Sequence, residues 1–318
     1  MLEEKSVDTS QLKGRDFLTL LDYSSDEILY LLDSAMKLKQ AQQQGECPKV
    51  LAGKSLGMLF ENASTRTRVS FEVGMTQLGG HALFLSPRDL QIGRGEPISD
   101  TAKVLSRYLD GIMIRTNSDE KVAELARHAD IPVINALTDN YHPCQALADL
   151  LTIYEQKGDY TKLKTAYVGD GNNVAHSLLI GAAKVGMDIT IATPKGYEAN
   201  PEFVNKAIEI GKETGALVKV TNDPVEAVKG ADAIYTDVWA SMGFEEEQKK
   251  REQAFSGFQV NQQLTAHAKD DYIFLHCLPA HRDEEVTAEV IDGKHSCIID
   301  EAENRLHVQK AVMIALMA

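Results

Sequence analysis

The chemistry in this chain concentrates in five short stretches. The first is Ser64-Thr65-Arg66-Thr67-Arg68, directly after the apolar run Ser55–Phe60 and before a helix-forming segment. A strand that turns into a helix N-terminus leaves backbone N–H groups free and puts the positive end of the helix dipole at the turn, which is a geometry for anions. Hydroxyls add donors that rotate, and a guanidinium adds a fork that fits phosphate oxygens. Further candidates are Arg115-Thr116, closing the run Gly-Ile-Met-Ile, and His142-Pro143-Cys144-Gln145. The remaining two are Asp237-Val-Trp-Ala-Ser241-Met242-Gly243 and His276-Cys277-Leu278-Pro279. Three donor-rich strand ends in one half of a chain point to an anion pocket. A Cys next to a His admits a nucleophilic pair, but neighbours on a strand face opposite sides, so His276 is badly placed as a base for Cys277.

Elements that could hold these residues follow from periodicity. Ser24-Ser25-Asp26-Glu27 forms a capping box, and Ile28, Leu31, Leu32, Ala35 and Leu38 mark an amphipathic helix ending near Gly45. Strands at 55–60, 81–85, 111–115 and 132–136 then alternate with helices to residue 78, over 98–109 and over 119–128. In the second of these segments, Val69, Val73 and Leu78 are read as the buried face. The loop 86–97 is longer than such connections usually are. Pro143 suits the first turn of a helix running to Gln156. A second series places strands at 164–168, 188–192, 217–220, 233–235, 272–275 and 297–299, with helices at 174–185, 201–214, after Pro224, at 245–255 and at 301–317. This β-α rhythm predicts an α/β protein with two doubly wound parallel-sheet domains joined by bridging helices. The expected boundaries are 1–150 and 151–300, with helix 301–318 packing back on the first domain.

The chain's 318 residues favour two cores. A formal net charge of −14 argues against nucleic acid or an anionic membrane as partner, so an anionic substrate needs a local positive cluster. The four cysteines, Cys47, Cys144, Cys277 and Cys297, show no paired spacing and suit a reducing, cytoplasmic setting. The first residues lack an apolar h-region, and no apolar stretch is long enough to span a membrane. No spacing suggests a metal site, and no cofactor is expected. Gly169-Asp170-Gly171-Asn172-Asn173 raises the possibility of a dinucleotide site, but position 174 is Val where a third glycine belongs, and no acidic residue ends the next strand.

Ser-Thr-Arg-Thr-Arg, His-Pro-Cys-Gln, Asp-Val-Trp-Ala-Ser-Met-Gly and His-Cys-Leu-Pro, in that order, resemble the aspartate/ornithine carbamoyltransferase family, and the Ser-Met-Gly stretch its ornithine branch. The resemblance implies carbamoyl transfer from carbamoyl phosphate to the ornithine δ-amine, giving citrulline and phosphate. It assigns the phosphate to Ser64, Thr65, Arg66 and Thr67, and the carbonyl oxygen to Thr67, Arg115 and His142. Gln145 would hold the carbamoyl NH2. Cys277, the Leu278 carbonyl and Arg305 would complete that site, with Gln91 reaching in from a neighbouring subunit of a homotrimer. Asn173, Asp237, Ser241 and Met242 would hold ornithine, the last two on a closing loop that Trp239 would report. Cys277, Arg115, His142 and Thr67 would be the catalytic residues. Other acceptor amines, putrescine or aspartate, and a non-catalytic phosphate-ligand sensor are the alternatives.

Overall fold

The computed structural model describes residues 7–88, 90–240 and 247–318. Ser241 and Met242, both expected to touch ornithine, lie outside the described residues, as does the start of the helix expected at 245. The chain divides into two compact units, residues 1–148 with 303–318, and residues 149–302. Both passages between units fall inside helices.

In the first unit, helix α1 (Ser25–Gln43) starts on the expected box: Ser24 Oγ accepts from Glu27 N, and the Glu27 carboxylate accepts from Ser24 N. Strands β1 (Ser55–Phe60), β2 (His81–Leu85), β3 (Gly111–Arg115) and β4 (Val133–Leu137) form a parallel sheet in the order β2-β1-β3-β4. They alternate with α2 (Thr65–Gln77), α3 (Ile98–Leu105) and α4 (Asp119–His128). Central β1 and β3 are buried almost throughout, as strands covered on both faces must be, whereas edge strand β2 is largely exposed.

Helix α2 corrects the reading of its buried face. Leu78 is buried as read, but Val69 and Val73 are exposed, and Thr67, Phe71, Gly74 and Met75 face inward. Gly74 decides this: a Cβ there would stand 3.0 Å from Met313 Cε and 3.3 Å from Lys310 Cγ of the last helix, so the small residue marks the close approach. A valine count along one face could not see that a glycine marked the opposite one.

Helix α5 (Pro143–Lys157) opens the second unit's part of the chain. Strands β5 (Lys164–Val168), β6 (Asp188–Ala192), β7 (Val218–Thr221), β8 (Ala233–Thr236) and β9 (Ile273–His276) form a parallel sheet in the order β7-β6-β5-β8-β9. Its helices are α6 (Asn173–Val185), α7 (Pro201–Thr214), α8 (Pro224–Val228), α9 (Gln248–Ala254), α10 (Gln262–Thr265) and α11 (Ala288–Ile291). The expected strand at 297–299 is not formed. Ser296 makes only an isolated bridge to Phe274, and helix α12 (Ile298–Met317) begins at once, with Asp300 and Glu301 in its first turn, where acids suit the helix dipole.

Candidate active site

In the first unit the candidates gather around one hydroxyl. Ser64 is the N-cap of α2, and its Oγ accepts from Thr67 N at 3.3 Å, which fixes the first turn. Thr65 is exposed and Arg66 half-buried, and the turn carries Thr67 inward to 1 % exposure. There, Thr67 Oγ1 accepts from Arg115 Nη1 at 3.3 Å and from Arg305 Nη2 at 3.1 Å. Arg115 ends β3, and Arg305 comes from α12. Arg305 Nη1 also donates to Gln145 Oε1 at 2.6 Å. Both lone pairs of the Thr67 hydroxyl are thus filled by guanidinium N–H groups, leaving its own hydrogen to donate.

His142 precedes Pro143 at the start of α5, and its carbonyl accepts from Gln145 N at 3.1 Å. Its imidazole is buried, and its pKa lies well below the usual 6.5, chiefly from burial, then from the charges of Arg305, Arg115 and Arg66. His142 is therefore neutral at physiological pH, and three guanidinia make the field around it positive. Gln91 opens a short 3-10 turn, Gln91–Arg94, with its side chain exposed. No hydrogen bond among the described residues ties that side chain to the Thr67 cluster.

The second unit gathers a carboxylate and a thiol. Asp237 follows β8, buried, and its Oδ1 accepts from Val238 N at 2.8 Å and from Cys277 Sγ at 3.0 Å. Its Oδ2 accepts from Asn172 Nδ2 at 2.8 Å. Burial pushes the Cys277 thiol well above its ordinary range, and the Asp237 charge pushes it further, so this cysteine is an S–H donor and not a thiolate. Both ring nitrogens of His276 are engaged elsewhere. Its Nδ1 accepts from Leu278 N at 2.9 Å, and its Nε2 faces Glu285 Oε1 at 3.1 Å, which disposes of a Cys-His nucleophile. Leu278 sits in the left-handed region at φ 56°. Although spacing suggested no metal site, folding brings ligating atoms of Asp237, His276 and Cys277 within 4.8 Å of one another, and likewise those of His281, Glu284 and Glu285.

The Gly-Asp-Gly turn has a packing explanation. A Cβ on Gly171 would stand 2.2 Å from Ala199 N, and Gly171 N donates to Tyr197 O, so a neighbouring chain segment fills the space a pyrophosphate would need. Asn172 caps α6, its Oδ1 accepting from Val174 N and Ala175 N, while Asn173 is the first helical residue. Asn172 is the residue sequence reasoning passed over. Its signal was legible, because an Asn before an apolar run is an N-cap, and a cap amide has N–H groups left to donate. Asp170 pairs with Arg251 Nη1 at 2.7 Å, and Arg251 also donates to Trp239 O at 2.7 Å. Trp239 itself is 6 % exposed and tilted against Phe255 in the core.

Both units match domains of one enzyme family. The aspartate/ornithine carbamoyltransferase carbamoyl-P binding domain matches residues 15–155, and the Asp/Orn binding domain matches residues 161–316. The chain belongs to the aspartate/ornithine carbamoyltransferase family. It is 66% identical over 316 residues to the ornithine carbamoyltransferase of Halalkalibacterium halodurans, covering 99% of this chain and 98% of the relative. The Bacillus subtilis ornithine carbamoyltransferase is 60% identical over 312 residues, 98% of this chain and 97% of that one. Among solved structures, ornithine carbamoyltransferase from Pyrococcus furiosus superposes with a TM-score of 0.94 at 55% identity, covering 96% of this chain and 98% of that one.

Proposed function

We propose that this chain is an enzyme that transfers the carbamoyl group of carbamoyl phosphate to the δ-amine of L-ornithine, giving L-citrulline and phosphate, a step of arginine metabolism. One observation carries the reading most directly: a buried hydroxyl whose acceptor sites are filled by Arg115 and Arg305 can only donate, and the same two guanidinia act on a neutral imidazole. Donors fixed in this way match a carbonyl oxygen that gains charge during attack. In this reading the first unit binds carbamoyl phosphate. Ser64, Thr65, Arg66 and Thr67 hold the phosphate at the α2 N-terminus, with Arg305 beside it. Thr67, Arg115 and His142 polarise the carbonyl, and Gln145 accepts from the carbamoyl NH2.

The second unit binds the amino acid, with Asp237 and Asn173 on the α-amino end and Ser241 and Met242 on the same substrate. The δ-ammonium has a pKa near 10.4, so about one molecule in a thousand or fewer is neutral at pH 7. Attack needs that neutral form. Cys277, held as a donor on Asp237, and the Leu278 carbonyl are the groups we assign to the reacting amines. With Cys277 protonated, Asp237 is the better proton acceptor of the two. The test is product formation from carbamoyl phosphate with ornithine, putrescine or aspartate supplied separately. Citrulline from ornithine alone is expected; a carbamoylated putrescine or aspartate instead, or no product, would sink the assignment.

We further place the working enzyme in the cytoplasm as a homotrimer, with Gln91 of one subunit serving another's site. The four cysteines are free thiols, and among the described residues no helix is long and apolar enough to cross a membrane. Val69 and Val73 on α2 and Leu83 and Phe84 on edge strand β2 are exposed, with the Arg68 guanidinium 3.9 Å from the Phe84 ring centroid. Such an apolar surface on an uncovered sheet edge suits burial against a second copy.

A further inference from the structure

We propose that Asp149 and Glu301 hold one proton between them at neutral pH, and that this singly charged acid pair is a positioning element for Cys277. Asp149 (α5) and Glu301 (first turn of α12) are 0% and 1% exposed, and both carboxyl groups face one phenol hydroxyl, that of Tyr235. A phenol hydroxyl has one hydrogen and two lone pairs, so it bonds well to two carboxyl oxygens at once only when one of them carries an acid proton and donates it to the phenol oxygen. Tyr235 Oη lies 3.3 Å from Asp149 Oδ1 and 3.1 Å from Glu301 Oε1, so it donates its hydrogen to one acid and accepts the proton of the other. Burial raises the Glu301 carboxyl above its ordinary range, in keeping with a retained proton.

The pair touches the site through one backbone bond. Glu301 Oε2 accepts from His276 N at 2.8 Å, fixing the peptide next to Cys277 where β9 ends. The remaining groups that act on the thiol are Asp237 at the end of β8, Tyr235 within β8 and Tyr167 in β5, whose ring stacks on that of Tyr235 at 5.8 Å. A pair with two charges would press Cys277 and Asp237 with needless repulsion, and a neutral pair would release part of the hold that keeps the thiol protonated. One proton gives a charge of −1 and a rigid anchor. The catalytic consequence rests on the carbamoyl-transfer reading; the shared proton does not.

The experiment therefore avoids turnover. Infrared spectra at pH 7, with Asp and Glu carboxyl carbons labelled separately, should show a protonated-carboxyl C=O stretch that is lost in D149N. The pH dependence of Cys277 alkylation by iodoacetamide, read on its peptide by mass spectrometry, should keep its midpoint in D149N, because the amide donates as the acid did and the pair stays at −1. D149N/E301Q is neutral, and alkylation at fixed alkaline pH should rise on the order of tenfold, about one unit of midpoint. Absence of the acid band overturns the shared proton. So does a D149N midpoint displaced as far as that of the double variant, since that result means two charges in the unaltered pair. A double variant with the original midpoint overturns the influence on Cys277. If a variant fails to fold, the infrared measurement on the unaltered chain decides the shared proton alone.

Discussion

Replacing Thr67 by valine tests the first unit's site at its centre. The side chain keeps its shape, so no cavity opens, but the acceptor shared by Arg115 and Arg305 disappears. Hydrogen bonds to charged groups contribute about 1.5–3 kcal/mol each. At 3.3 and 3.1 Å these two are not short, and Arg305 keeps its bond to Gln145, so the expected stability loss is about 2–4 kcal/mol and not the full sum. Rate should fall further. Losing one oxyanion donor lowers turnover by roughly 10²–10³-fold, about 3–4 kcal/mol at 1.36 kcal/mol per decade. Thr67→Ser restores the hydroxyl and should recover most of both. The assays are urea unfolding and citrulline formation under saturating ornithine. If T67V turned over within about threefold of T67S while losing stability, Thr67 would be a tether for two arginines and the oxyanion assignment would be wrong.

Arg66→Ala should leave the fold intact and raise the KM for carbamoyl phosphate with a loss in kcat/KM worth about 2–4 kcal/mol; a near-normal value would remove the phosphate from the α2 N-terminus. Cys277→Ser should lower kcat yet leave the pH–rate profile below about pH 8 unchanged, because the native thiol is already protonated there; a limb that vanishes near neutrality would mean a thiolate acts. The same displacement acts on stability. The folded thiol is raised above an unfolded value near 8.5, so stability is full below that pH and is lost as pH rises through and beyond it, and C277S should lose less between pH 8.5 and 10. Mixing inactive Gln91 and Arg66 variants under subunit exchange should restore part of the activity; proven exchange with no recovery would count against shared sites.

The sequence made the strands and most helices legible because buried parallel strands are nearly continuous apolar runs, and Ser24, Ser64 and Pro143 mark helix starts by local chemistry. What failed did so for non-local reasons. The inward face of α2 depends on how closely Lys310 and Met313 approach Gly74, and those residues lie more than two hundred positions away. The segment 297–299 has strand composition, but the acids at 300 and 301 favour a helix, and Glu301 is committed to His276 N. The contact with Phe255 that buries Trp239 could likewise not be inferred from spacing. The site shows the same division. The candidates Ser64–Arg68, Arg115 and Asp237 were readable as strand-end residues, whereas the convergence of Arg115 and Arg305 on one hydroxyl needed the fold.

That convergence also answers the problem set by the net charge. A chain at −14 repels an anionic substrate at long range, and screening within about 8–10 Å at physiological salt leaves only the local field to bind it. Locally the first unit concentrates Arg66, Arg115 and Arg305 and gives Arg115 and Arg305 neutral partners, the Thr67 hydroxyl and the Gln145 carbonyl, which orient them without cancelling them. The pKa of His142, lowered chiefly by burial, is lowered further by the positive field of the three arginines. The second unit does the reverse. Asp237, Glu301 and Asp149 surround a thiol, so the field there resists a thiolate and favours a cation, as an arriving ammonium requires. On the proposed assignment the field is positive where the phosphate would leave and negative where the amine would arrive.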